Sequence, residues 1–508
     1  MTSTETLTAR DLDQLSRHGI STDEIERQLE IYRQAPPPAR LARNCRPTDG
    51  IVRISADQER HFEASWRSLA RHRRLVKFVP ASGAATRMFK DLAASTTADE
   101  DRRAASRFIE SLPRFAFTPA LDSILAERGL KLQQLAATGD LVTISSYLLE
   151  PAGLDYRRLP KGLVLFHSYP EGSRSALEEH LWEGAGYLSP AQGTCQFHFT
   201  VATDYLPSFH KEVESVSGLI ESELVITFDA GFSTQNSATD TLAVDPENRP
   251  FRTSHGSLLL RHSGHGALLD NLQALEADVA FIKNIDNVAH RRLHPTAVRW
   301  KRVLAGYFYH LQEEISSLLD RIDSTPRDQD LQEQALQWVG DNLTVEVPPE
   351  IGAAGSEMRH DYLVQRLDRP LRVCGMVPNV GEPGGGPFWL AGSDGGLTGQ
   401  IVERAQVDFD SPDQAELWGS STHFSPTDLI CGLRNRRGEP YDLARFVDPS
   451  ATFITHKNHQ GRPLKALERP GLWNGSMAGW NTVFVEVPLQ TFNPVKTVFD
   501  LLRPEHQP

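Results

Sequence analysis

The chain has 508 residues, 39% of them hydrophobic, with a formal charge of -13 and a pI near 5.8. That length and apolar content fill one large core or two to three ordinary ones, while the acidic balance argues against a general nucleic-acid or membrane-surface binder and leaves room for a local basic pocket. Cys45, Cys195, Cys374 and Cys431 lie far apart with no C-x-x-C spacing, so neither a disulfide framework nor a thiolate zinc site organises the chain. MTSTETLTARDLDQL contains no apolar leader, and no run approaches about eighteen apolar residues; a cytoplasmic protein is expected.

Residues 1–65 read as an N-terminal helical segment. ARDLDQLSRHG ends on a glycine stop, and STDEIERQLEIYRQ opens on a Ser/Thr cap before an amphipathic run. PPPAR breaks the pattern. Residues 66–508 read as one α/β domain, because LVKFV, LVTISSYL, GLVLFH, CQFHFTVAT, LVITFDA and DVAFIKNI are strand-like runs alternating with helical patterns. Within it, residues from about 297 to 345 carry apolar positions three and four apart and predict a helical insertion with a packing or covering role. NVGEPGGGPFWLAGSDGGLTGQ reads as loop from its glycine density, after which IVERAQVDF, ATFITHK and NTVFVEVP resume strand character.

The stretch LVKFVPASGAATRMFKDL, Leu75 to Leu92, has the form of a strand, a small-residue loop and a helix entrance. It satisfies neither Walker A, which needs a Gly-Lys-Ser/Thr tail, nor the dinucleotide fingerprint with its three spaced glycines. Ala81, Ser82, Gly83, Ala84 and Ala85 would let backbone N–H groups approach an anion, with Thr86 and Arg87 at a helix N-terminus; a plain strand-to-helix turn explains the same residues.

Read with later segments, the loop resembles that of the sugar-1-phosphate nucleotidyltransferases, especially the UDP-sugar pyrophosphorylase branch. The order x-x-G-x-x-T-R-M is followed by Pro160-Lys161, by Gly264-His265-Gly266, by Asn284-Ile285-Asp286-Asn287 and by TFNPVKTVFDLL with Lys496. The matches run in order from Gly83 to Leu501, and over its full length the chain resembles an uncharacterised bacterial group known as a domain of unknown function. The departures are Ser82 and Ala85 at positions where the family has glycine, and Thr491 where it has arginine.

The resemblance implies a glycosyltransferase-A-like, Rossmann-like α/β fold with a mixed central sheet, and transfer of a nucleotidyl group, UTP favoured, onto a sugar 1-phosphate with release of pyrophosphate. It implies phosphate contacts from Arg87, Lys161 and Lys496, nucleotide contacts from Ala81, Ser82, Gly83, Ala84, Thr86, Gln235, Gly264, His265 and Gly266, a Mg2+ ion on Asp286, and sugar contacts from Asn287 and His423. Such chemistry needs no serine, cysteine or general base, since the nucleophile is already an anion; positioning and charge neutralisation suffice. Each residue has a simpler reading: Asp286 and Asn287 as turn formers, Lys496 as an exposed lysine, Gln235 as loop, and Trp473, Asn474 and Trp480 as core rather than a sugar-stacking wall. His262 and His265 lie in loop with no third ligand, against zinc. Two other functions fit the same residues, a non-catalytic nucleotide- or sugar-binding protein and a glycosyltransferase, although the latter's Asp-x-Asp motif is missing.

Overall fold

The computed structural model describes residues 7–93, 99–188, 193–381, 384–392 and 395–508. They form two compact units: Met1–Arg74 with Gln235–Phe281 and Leu304–Val487, and Leu75–Thr234 with Ile282–Val303 and Pro488–Pro508. Among the described residues no helix is long and apolar enough to cross a membrane.

The first unit is built on mixed sheets. Gly50–Val52, Asn481–Glu486 and Leu371–Pro378 run parallel, and Asp428–Gly432 joins Leu371–Pro378 antiparallel. A separate antiparallel sheet orders Leu41–Asn44, Gly386–Ala391, Leu397–Val402 and Val345–Glu346. Helix Ala9–His18 starts on a capping box at Thr8 and stops at Gly19, whose φ of 74° is the left-handed value that glycine adopts without strain. With Thr22–Gln34 it buries Leu15, Ile25, Leu29 and Tyr32 against Leu242, Val244, Leu258 and Leu467. The Pro-rich break leads into short strands at residues 41–52, not into helix, since those residues bond to neighbouring strands. The glycine-dense stretch also departs from expectation. Gly386–Ala391 and Leu397–Val402 are paired strands, in which Gly399 leaves space for Thr344; a Cβ there would lie 2.3 Å from the Thr344 methyl.

In the second unit Leu75–Pro80, Thr194–Val201 and Thr227–Thr234 are parallel neighbours, and helices Ala176–Leu188 and Leu206–Leu224 belong to the same unit. LVTISSYL, expected as a strand, is the helix Leu141–Leu149. Asp140 caps it by accepting from the Thr143 N–H, and Ile144 and Leu148 bury one face at a four-residue spacing, so helical period and cap outweigh the β-branched composition. This helix joins Asp99–Ser111 and Thr118–Glu127 around an apolar cluster of Phe108, Phe115, Phe117 and Tyr156, into which Val495, Val498 and Leu501 also insert.

Candidate functional site

Four segments of the second unit meet around Asp286. Ala81 ends its strand by donating its N–H to Thr200 O at 2.8 Å. Beyond it, Ala85 N–H donates to Leu159 O at 2.9 Å and Lys161 N–H to Gly83 O at 3.1 Å, fastening the loop to Leu159–Lys161. The N–H groups of Ser82, Gly83 and Ala84 make no hydrogen bond among the described residues. All three residues are exposed, and a Cβ on Gly83 would meet nothing within 4 Å. These N–H groups are donors left without an internal acceptor and open to a ligand.

The segment after the loop differs from the expected α-helix entrance. Ala85–Arg87 is a three-residue 3-10 turn and the next helix begins only at Lys90, so the loop does not run directly into an α-helix N-terminus. Met88 and Phe89 cause this by plunging into the core, where Phe89 packs on Phe117 and Tyr156. Thr86 donates its hydroxyl to Arg157 O at 2.9 Å, which commits it to the turn. Arg87 remains exposed on the loop's rim.

Asp286 is the electrostatic centre. Lys161 Nζ donates to its Oδ2 at 2.9 Å and Lys496 Nζ to the same oxygen at 3.1 Å. Lys161 Nζ also donates to Val495 O at 2.8 Å, and Val495 N–H donates to Asp286 O at 3.0 Å. Burial alone would raise the Asp286 carboxyl, but Lys496 and Lys161 more than reverse that and hold it below the usual carboxylate range. Gly162 permits the approach: a Cβ there would sit 2.9 Å from the Phe209 ring and 3.4 Å from Ile285 Cδ1. Asn287 turns inward, only 1% exposed, and accepts from Asn493 N–H at 2.9 Å; it ties down the Lys496 segment and offers no face to a sugar.

Buried polar groups under this cluster set its position. Ion pairs join Lys77 and Lys283 to Glu183, and His180 Nε2 reaches Ile285 O at 3.2 Å. His167 bridges Glu179 and His506, 2.9 Å from each, and anchors the segment beyond Lys496. None of Glu179, Glu183, His167 or His506 was singled out by sequence reasoning; the only available signal was four charged or imidazole groups within EEHLWE, too dense for a solvent face once the helix is buried.

The remaining expected residues belong to the first unit. Gln235 donates its amide to Thr239 Oγ1 and Asp240 Oδ1 at 3.2 and 3.3 Å. His265 stacks on Trp473 with ring centroids 3.9 Å apart. Its Nδ1 accepts from Leu472 N–H at 2.8 Å, so Nε2 carries the proton and donates to Glu403 Oε1 at 3.2 Å. Gly264 and Gly266 let this loop lie against its neighbours: a Cβ would fall 2.3 Å from Glu468 Oε2 or 2.1 Å from Pro470 O. Glu403 and His423 line a cavity of about 470 Å³ with Asn379, Phe388, Trp418 and Ser421, and His423 Nε2 is 3.1 Å from Glu486 Oε2. His262 pairs with Asp240, not with His265.

The surroundings of Asp286 limit what it could offer a metal ion to one carboxylate oxygen. Asp286 is the carboxylate that both lysines share, both ammoniums occupy its Oδ2, and among the described residues no group of three or more His, Cys, Asp or Glu could hold a metal ion. Asp286 Oδ1 takes no hydrogen bond among the described residues, so the site offers a Mg2+ ion one carboxylate oxygen and no protein cage, and an ion there would draw its other ligands from phosphate and water.

Fold and site together define an α/β protein with mixed sheets, in which two lysines share one buried aspartate beside an open backbone loop. The chain belongs to the family described as Domain of unknown function (DUF4301), which matches residues 8–507. No curated protein matches it. Among solved structures it is similar to the UDP-N-acetylglucosamine pyrophosphorylase of Trypanosoma brucei, at 13% identity and a TM-score of 0.47, over 99% of this chain and 80% of that one. It is also similar to the UDP-glucose pyrophosphorylase of Leishmania major, at 11% identity and a TM-score of 0.45, over 98% of this chain and 79% of that one.

Proposed function

We propose that this protein makes a nucleotide sugar and pyrophosphate from a nucleoside triphosphate and a sugar 1-phosphate, with UTP as the favoured donor. The observation that carries the reading is the pairing of three unbonded N–H groups at Ser82–Ala84 with a lysine, Lys161, that is bonded to the same loop and shares Asp286 with Lys496. A phosphate oxygen of the sugar 1-phosphate would attack the α-phosphorus; the new P–O bond forms as the bond to the β-phosphate oxygen breaks, and pyrophosphate leaves with that electron pair. The loop N–H groups and Arg87 would take the triphosphate, and Lys161 and Lys496 would offset charge on the transferring and leaving groups. We further propose that Mg2+ accompanies the triphosphate, held by phosphate oxygens and water. Within the first unit, Glu403 and His423 supply the polar wall of a cavity large enough for a monosaccharide, and we propose that it recognises a sugar.

Pyrophosphate release tests this directly, with each of the four nucleoside triphosphates offered against pooled sugar 1-phosphates. Release should need both substrates, be fastest with UTP, stop with EDTA and return with Mg2+. Nucleotide binding without release from any pair would favour the non-catalytic reading, for which Ser82 and Ala85 in place of the resembled family's glycines are the specific observation.

A further inference from the structure

We infer that Asp286 is a built-in stand-in for a phosphate group, holding Lys161 and Lys496 together until a polyphosphate displaces it. Both ammoniums converge on a single carboxylate oxygen, at 2.9 and 3.1 Å, the geometry with which two lysines clasp one phosphoryl oxygen. The carboxylate cancels one of two positive charges that would otherwise repel across a pocket where the Lys161 side chain is 12% exposed. Displacement has a clear path. The Asp286 backbone is fixed through Val495 N–H and Lys161 is doubly held, whereas the Lys496 side chain is 46% exposed and has the freedom to swing from carboxylate to ligand. The loop N–H groups of Ser82, Gly83 and Ala84 have no such internal acceptor among the described residues. One part of the site is therefore open and the other is occupied by the protein's own anion.

An arriving anion must compete with a carboxylate for the same two cations, so the aspartate discriminates against weakly charged anions and admits those that bring several oxygens. This assignment rests on the reading that phosphate groups enter the cluster, but its test uses inorganic pyrophosphate and needs no turnover. Binding to the full chain is measured by calorimetry in EDTA. Asp286→Asn should bind pyrophosphate at least roughly tenfold more tightly than the wild type, the scale of one charged contact released from competition. Lys496→Gln should bind it more weakly.

The two roles part in their response to Mg2+. If Asp286 is a metal ligand, Asp286→Asn loses whatever gain Mg2+ gives the wild type, which overturns the inference, as does metal-free binding that is unchanged or weaker in Asp286→Asn. A second measurement keeps the question open to refutation if Asp286→Asn does not fold. In the wild type, the two ammonium signals identified by their loss in Lys161→Arg and Lys496→Arg should both move in 1H–15N spectra as pyrophosphate is added. Binding that leaves those signals in place would overturn it too. Pyrophosphate binding without nucleotidyl transfer would refute the proposed reaction while leaving this inference standing.

Discussion

Lys161 and Lys496 share an acceptor yet stand in different surroundings, and that difference separates what their removal should do. The Lys161 side chain is 12% exposed and bonded to both Asp286 and Val495 O. Lys161→Gln should cost about 3 kcal/mol of stability, because it strips a buried carboxylate of a partner, together with most of the activity. Lys496 is half in solvent while its partner Asp286 is buried, so this pair contributes less to folding than that of Lys161, about 1 kcal/mol. Lys496→Gln should therefore lower the thermal midpoint less than Lys161→Gln does, while lowering kcat on the order of a hundredfold, the scale for losing one preorganised charge contact. Thermal denaturation alongside pyrophosphate release reads both effects, and a large stability loss in Lys496→Gln would contradict this division. Asp286, Lys161 and Lys496 were legible in the sequence because each lies in a short motif in the expected order. The histidine and carboxylate residues beneath them were not: His167 and His506 are 339 positions apart, and no local pattern announces that they touch.

At the scale of elements, the strands that sequence reasoning found, LVKFV, CQFHFTVAT and NTVFVEVP, are short runs of β-branched and aromatic residues bounded by polar turns. LVTISSYL has the same composition; what distinguishes it is the Asp140 cap ahead of it and the four-residue spacing of Ile144 and Leu148, a signal that its β-branched run masks. The strands Gly386–Ala391 and Leu397–Val402 were hidden by their glycines, whose function is to let side chains of adjoining segments approach. A similar demand operates in the turn Lys161–Leu163. Gly162→Ala would press a methyl group on the Phe209 ring and crowd Ile285, an overpacking cost of about 1–3 kcal/mol. It should also shift Lys161 away from Asp286. The expected result is a lower urea midpoint with kcat reduced more than KM is raised; an unchanged kcat would show that the turn has slack to absorb the methyl group.

For the molecule as a whole, stability should depend on pH through the buried groups of the second unit. Burial and the neighbouring His167 push His506 down to about 3 from an ordinary 6.5, and burial likewise lowers His180 and His290. These histidines stay neutral in the fold and take up protons on unfolding, so stability is fully present above about pH 6.5 and drains as pH falls through the interval down to about 3. Glu179 and Glu183 add a second loss at lower pH. Burial opposes their charge, but His167 and His294 for the first, and Lys283 and Lys77 for the second, hold them below the carboxylate range. The thermal midpoint should thus fall between pH 7.5 and pH 5, and His506→Gln should flatten that slope. A midpoint independent of pH over that interval would count against a neutral buried His506. The chain's acidic excess lies almost wholly in the first unit, since Lys and Arg nearly balance Asp and Glu in the second; the pooled composition concealed this.

The cluster around Asp286 draws on stretches remote from one another: Asp286 is 125 positions from Lys161 and 210 from Lys496. Contacts of such separation close large loops and form late in folding. A nascent chain therefore carries the Ser82–Ala84 loop and Lys161 for most of its synthesis without the lysine that completes them. On the proposed reading, the grip on a polyphosphate would be complete only when the Val495–Leu502 stretch packs into the aromatic core, which would make ligand competence a late checkpoint of assembly.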